Sequence, residues 1–223
     1  MSVKKNIFSL LSLIVFLIVI CVSSALGENA ILKPSGLAET SWYEYNGVWY
    51  PDFTVKDGTT WATALDTNDY DISYAQACCG GPTKFFYAHL DNPQDMDEDT
   101  RIVSVQVTVV ARYLETPILI DPLPIYGDID IGYKTGSETV IEVQHSLNAP
   151  LGAYTKVVSE EYFKDSDGGE LDIFDINNLQ VFVGRNIAGS AQLKVTQVYA
   201  TIRYNNASAA LLIPIYSLLL LGP

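Results

Sequence analysis

The chain has 223 residues, 48% of them hydrophobic, and sets 13 Lys and Arg against 26 Asp and Glu for a formal net charge of −13. That balance repels phosphate backbones and anionic headgroups, which argues against a nucleic-acid partner and favours basic surfaces or cations. The length suits one well-buried domain better than two, and no internal repeat or low-complexity linker divides it.

Residues 1–27 read as a signal peptide. Lys4 and Lys5 form a positive n-region, residues 7–22 are an apolar run, and Ala25 and Gly27 stand at cleavage spacing. An uncleaved signal anchor is the alternative that so long a run permits. Val19 and Ile20 precede Cys21 where a lipoprotein cysteine would need small residues. The segment carries two of the 13 basic residues and none of the 26 acidic ones, leaving 11 against 26, or −15. The expected location is extracellular, either secreted or attached to a cell surface.

The next residues suggest short strands. Residues 30–33 form a first candidate, stopped by Pro34. Two aromatic stretches in residues 42–50 flank Asn46-Gly47, a strong hairpin signal because both turn positions require positive φ. Residues 61–65, 70–74 and 84–90 are further extended candidates. An acidic loop, residues 91–99, then leads into residues 101–113, which alternate over a longer stretch than any other segment. There Val103, Val105, Val107, Val109, Ala111 and Tyr113 share one face, while Ser104, Gln106, Thr108 and Arg112 share the other. Such a period of two marks a strand between core and solvent, and its freedom from Gly and Pro predicts a central position.

Residues 115–124 contain three prolines and read as an irregular crossing. Strands are predicted at 128–134, 138–144, 154–163 and 179–183. In residues 191–204, Leu193 and Val195 set one parity and Val198, Ala200 and Ile202 the other, so a β-bulge is expected near Thr196-Gln197. Many short strands with frequent turn signals and no long helical period predict an all-β fold, a single β-sandwich or jelly roll over residues 28–205.

Three stretches carry a family resemblance. Ile102–Val107 has the form I-x-x-V-x-V after an aromatic-rich, acidic lead-in. Asp175–Val181 has the form D-x-x-x-L-Q-V after an Asp-Gly-rich loop, and Val195–Tyr199 is a closing V-T-Q-V-Y strand. Together these resemble extracellular and virion-associated jelly-roll modules, similar in layout to galactose-binding-like carbohydrate-binding modules, over residues 40–204. The resemblance implies a fold, and fold alone does not name a function.

Several constellations carry chemical expectations. Trp42, Tyr45, Trp49 and Trp61 belong to an aromatic concentration before residue 90. Flat rings stack on the apolar faces of sugars, so they are candidate glycan-binding residues; filling the core is their plainer use. Asp165, Asp167 and Glu170 have the spacing of a partial Ca²⁺ loop, against the commoner alternative of a solvated acidic loop. Cys78 and Cys79 are adjacent. Consecutive Cα atoms ~3.8 Å apart would make a bond between them a strained ring. The expectation is such a vicinal disulfide stiffening the Gly-rich loop, with free thiols or cross-links to another chain as alternatives.

Glu170-Leu171-Asp172-Ile173-Phe174-Asp175 is similar to the E-x-D-x-x-E strand of laminarinase-type retaining glycoside hydrolases. That likeness implies Glu170 as nucleophile, Asp172 as its partner and Asp175 in place of the final acid/base Glu. A helix cap at Asp172, with Asp175 three residues on, is the favoured alternative, with Leu171, Phe174 and Leu179 as the buried side. No G-x-S-x-G, H-E-x-x-H or phosphate-cradling glycine motif is present.

Asn206 begins an Asn-Ala-Ser glycosylation sequon, and residues 209–221 form an apolar tail interrupted by Pro214. Residues 206–223 thus read as a linker and a short hydrophobic tail, a candidate membrane-sorting element. The expected function is a secreted, surface-displayed, non-enzymatic module that is structural or binds a glycan. A neighbouring surface-layer protein is the other expected partner, a laminarinase-like glycosidase the alternative activity, and a virion component a third reading.

Overall fold

A computed structural model describes residues 27–45, 48–56, 59–67, 72–77, 83–94, 96–114, 128–144, 153–186 and 192–206. In chain order the elements are β1 (Glu28–Leu32), β2 (Pro34–Thr40), β3 (Trp42–Tyr45), β4 (Val48–Pro51), β5 (Phe53–Val55) and α1 (Trp61–Asp66). There follow β6 (Ala75–Ala77), β7 (Thr83–Leu90), β8 (Thr100–Leu114), β9 (Asp128–Lys134) and β10 (Val140–Gln144). The last are β11 (Thr155–Val158), α2 (Ile173–Asn177), β12 (Gln180–Asn186) and β13 (Gln192–Asn206).

They make an all-β sandwich of two antiparallel sheets. One runs β11-β8-β13-β6-β5, with β1 also paired to β13; the other runs β10-β9-β12-β7-β2. The long alternating segment is β8, and it is internal as expected. It pairs with β13 from Leu114↔Gln192 to Thr100↔Asn206. The expected bulge is present, because the register shifts between Val195 and Gln197. That extra residue lets Leu193 and Val195, then Val198, Ala200 and Ile202, all reach the same core. Val105, Val107, Val109 and Ala111 meet them there, with Phe86, Ala88, Ile129, Ile131, Val181 and Val183 from the facing sheet. A sheet-to-sheet core of alternating apolar residues is the main stabilising element of such a sandwich.

The structure corrects several strand expectations. Residues 61–65 lie in helix α1. Thr60 caps it, its hydroxyl accepting from the Thr63 N–H at 3.2 Å, and Trp61, Ala64 and Leu65 pack inward at i, i+3, i+4 spacing. Of the strand expected at 70–74, residues 70–71 lie outside the described residues and residues 72–74 carry no strand; β6 begins just after them. The first strand, β1, does end before Pro34 as expected; Pro34 itself opens β2, an edge strand of the other sheet, where a missing N–H removes no ladder bond.

The strand expected over 154–163 divides. β11 ends at Val158, and Ser159 then takes the Val107 N–H on its hydroxyl at 3.0 Å. Pairing resumes at Tyr162, which exchanges backbone bonds of 2.8 and 2.9 Å with Val105. The Asn46-Gly47 turn lies outside the described residues, although the strands on either side pair as expected, Tyr45 opposite Val48. Residues 1–26, 115–127 and 207–223 also lie outside them, and with them the signal peptide, the proline-rich crossing and the tail.

Candidate functional site

The aromatic candidates divide by position. β3 and β4 form a two-stranded sheet of their own, in the register Trp42↔Pro51, Tyr43↔Tyr50, Glu44↔Trp49, Tyr45↔Val48. Trp42 leaves 56% of its surface exposed. Tyr45 and Trp49 are fixed here only by their places in that register. Trp61 is elsewhere, on α1, where its ring packs 5.3 Å from Phe86 against the core. Trp42, Tyr45 and Trp49 therefore share one hairpin, and Trp61 supports the sandwich.

The hairpin is anchored by its neighbours. The Ser41 N–H donates to the Phe85 carbonyl at 3.0 Å, and the Asp52 N–H donates to the Ser41 carbonyl at 2.7 Å. Asp52 turns its carboxylate inward to the Lys84 ammonium at 2.8 Å, with 6% and 2% of the two side chains exposed. Lys84 shares the inward parity of β7 with Phe86, Ala88 and Leu90, and Arg185 is likewise buried after Val181 and Val183 on β12. The sequence reading did not single out these buried cations. Their strand parity was the available signal.

The acidic loop is organised by its own backbone. One Asp165 oxygen accepts from the N–H groups of Asp167 and Gly169, both at 2.8 Å. Asp167 accepts from the Glu138 N–H and the Ser137 hydroxyl, both at 3.0 Å. Those bonds, the Glu138 N–H foremost, hold the Asp167 carboxyl below its ordinary range. Two glycines permit the fit: Gly168 has φ +94°, and a Cβ at Gly136 would stand 2.2 Å from an Asp167 oxygen. Glu170 is exposed, and its backbone forms an isolated antiparallel β-bridge with Lys164 across the loop. Among the described residues no three Asp, Glu, His or Cys side chains are grouped to hold a metal ion.

The Glu170–Asp175 stretch forms a helix start rather than a strand. Asp172 accepts from the Asp175 N–H at 2.9 Å, and Asp175 accepts from the Asp172 N–H at 2.9 Å, a reciprocal capping box on α2. Burial raises the Asp175 carboxyl, the Asp172 N–H opposes that, and the Asp172 and Asp165 charges add to it. Leu171 and Leu179 are buried as expected, but Phe174 is 69% exposed because the helix turns it outward. Cys78 and Cys79 lie outside the described residues, and Asn206 is the last residue of β13.

One further feature was not anticipated. A recess of about 350 Å³ opens between β1 and the segment after β7, with Asn29, Ile31 and Lys33 on one wall and Asp91, Asn92 and Gln94 on the other. The Asp91 N–H donates to the Lys33 carbonyl at 2.8 Å and joins the two walls. A second recess of about 580 Å³ shares residues 91–94 and continues past Leu90 to Ser35. Residues 91–99 read in sequence only as an acidic loop. Nothing local signals that β1 returns beside them.

No protein-family model and no curated protein matches the chain. Among solved structures it is similar to TmCBM61, described in complex with β-1,4-galactotriose. The TM-score is 0.40 and the identity 6%, over 75% of this chain and 89% of that one. This is a distant likeness of one β-sandwich to another, that of a carbohydrate-binding module.

Proposed function

We propose that the chain is a secreted, surface-displayed and non-enzymatic β-sandwich that binds a glycan. The observation that carries this reading is Trp42, a large ring more than half exposed on a hairpin that belongs to neither main sheet. Burying a Trp side chain is among the larger gains open to a fold, so a ring left in water is suited to a partner with an apolar face. The C–H face of a pyranose is such a partner, and Tyr45 and Trp49 are on the same hairpin. The signal-like start supports an extracellular address.

The use of Asp172 and Asp175 as a helix cap favours binding over hydrolysis, since each carboxylate has a backbone N–H to satisfy. The test is retention on immobilised neutral polysaccharides, with a reducing-sugar assay alongside. Wild type should be retained without releasing reducing ends. Trp42→Ala should lose retention by tenfold or more at an unchanged melting temperature. Reducing-end release that disappears in Glu170→Gln would instead favour the glycosidase. Retention on no glycan, with capture of a purified surface-layer protein, would favour a structural role.

A further inference from the structure

We propose that the recess between β1 and residues 91–94 is a second saccharide seat, taking a short run of neutral sugar units; this inference rests on the glycan-binding reading above. The wall groups fit hydroxyls. Asn29, Asn92 and Gln94 each present an amide that donates and accepts, which is what a sugar hydroxyl does, and all three are exposed. Asp91 adds a carboxylate suited to accept from a pair of hydroxyls. Lys33 already engages Asp66 at 2.7 Å, so its charge is shared with that carboxylate.

The rest of the lining is apolar. Leu32 and Tyr204 are buried, Met96 packs against the core, and Ile31 stands 62% exposed at the rim. The accessible lining is nonetheless mostly polar, which suits a hydroxyl-rich ligand, and the volume lies within the about 300–1,000 Å³ typical of small-molecule sites. The adjoining recess continues past residues 91–94 to Ser35 at the start of β2, so the shape favours a short chain over a single ring.

Charge restricts the ligand further. A chain of net charge −13 disfavours an anionic saccharide. Among the described residues a bare divalent cation would find one wall carboxylate, Asp91, where Ca²⁺ needs six to eight oxygens. The seat is also distinct from the hairpin. β2 pairs with β7 from Pro34↔Leu90 to Thr40↔Phe86, which puts the recess at one end of that ladder and Trp42 beyond the other. Seven strand residues span ~20 Å, so both places can engage separate stretches of one polymer.

The test uses the full chain, ¹⁵N-labelled, titrated with neutral gluco-, galacto-, manno- and xylo-oligosaccharides of three to six units. The proposal expects amide shifts at residues 29–33 and at Asp91, Asn92 and Gln94. Asn92→Ala/Gln94→Ala should weaken that binding tenfold or more while the melting temperature stays within about 2 °C, since both side chains are on an exposed loop. Shifts confined to residues 42–51, abolished by Trp42→Ala and indifferent to Asn92→Ala/Gln94→Ala, would overturn the second seat and leave the glycan-binding function standing. Binding of none of these sugars would overturn both.

Discussion

Removing Asp52 tests the energetics of the sandwich directly. Its carboxylate meets the Lys84 ammonium at 2.8 Å, and the two side chains keep only 6% and 2% of their surface. An exposed ion pair contributes about 0–1 kcal/mol, because water and salt screen it. A buried one differs: taking away one partner leaves the other charge in a low-dielectric interior without its counterion, at about 3–5 kcal/mol. For a domain of this size each kcal/mol lowers the melting temperature by about 2–4 °C. Asp52→Ala should therefore melt roughly 10 °C below wild type.

A double-mutant cycle separates the pair from mere loss of packing. Lys84→Met keeps most of the buried stem and removes the charge, so alone it leaves the Asp52 carboxylate buried without the ammonium. Asp52→Ala/Lys84→Met removes both charges, and the double variant should cost less than the two single costs added, by about 2–3 kcal/mol. Urea denaturation, with equal m-values across the set, gives the four free energies. An Asp52→Ala cost below about 1 kcal/mol, or single costs that simply add, would refute the claim that this pair is coupled in the core.

Two other outcomes follow from the acidic loop and its helix. Asp172→Ala should destabilise the fold by about 1 kcal/mol, through loss of the bond to the Asp175 N–H, and Asp172→Ser should recover most of that in thermal melts. In a carboxyl-detected NMR titration Asp167 should titrate below the ordinary aspartate range and Asp175 above it. The signs for stability are opposite. Asp167, depressed on folding, contributes stability above its unfolded pKa that is lost as pH falls through its folded one, whereas Asp175, raised on folding, favours the folded state more as pH falls through its folded pKa. Titration of the two in the reverse order would contradict the hydrogen bonds described here.

What could be read from the sequence was what repeats locally. β8 announced itself by six alternating residues, and the bulge in β13 by a change of parity within one segment, because each is a property of consecutive side chains. Helix α1 was less legible. Trp61, Ala64 and Leu65 carry the helical spacing, but over six residues that spacing competes with the strand preference of an aromatic residue. β2 was hidden by Pro34 and by two register shifts against β7, and only its edge position makes both tolerable. Lys84 and Arg185 have inward parity, yet charge argues outward. What settles Lys84 is Asp52, a residue 32 positions away in the chain. The site follows the same division. The hairpin register was legible from Asn46-Gly47, whereas the exposure of Trp42 and the recess beside residues 91–94 depend on which strands meet.

The acidic excess finally separates by use. Asp52 neutralises a buried ammonium, Asp165 and Asp167 close loops on backbone N–H groups, and Asp172 and Asp175 cap a helix. In each case a carboxylate does the work of a backbone or side-chain partner that a strand-rich chain with long connections would otherwise lack. A cation entering the loop at residues 165–170 would have to draw oxygens away from those N–H donors, and the turn at residues 135–138 would lose its clasp with them. Loop order and metal capture therefore compete at that place. Asp91 stands under a different constraint: it is exposed, and it lines two recesses at once. Replacing it would disturb neither the core nor a helix cap, so Asp91→Ala should leave the melting temperature within about 2 °C of wild type while weakening saccharide binding at the recess.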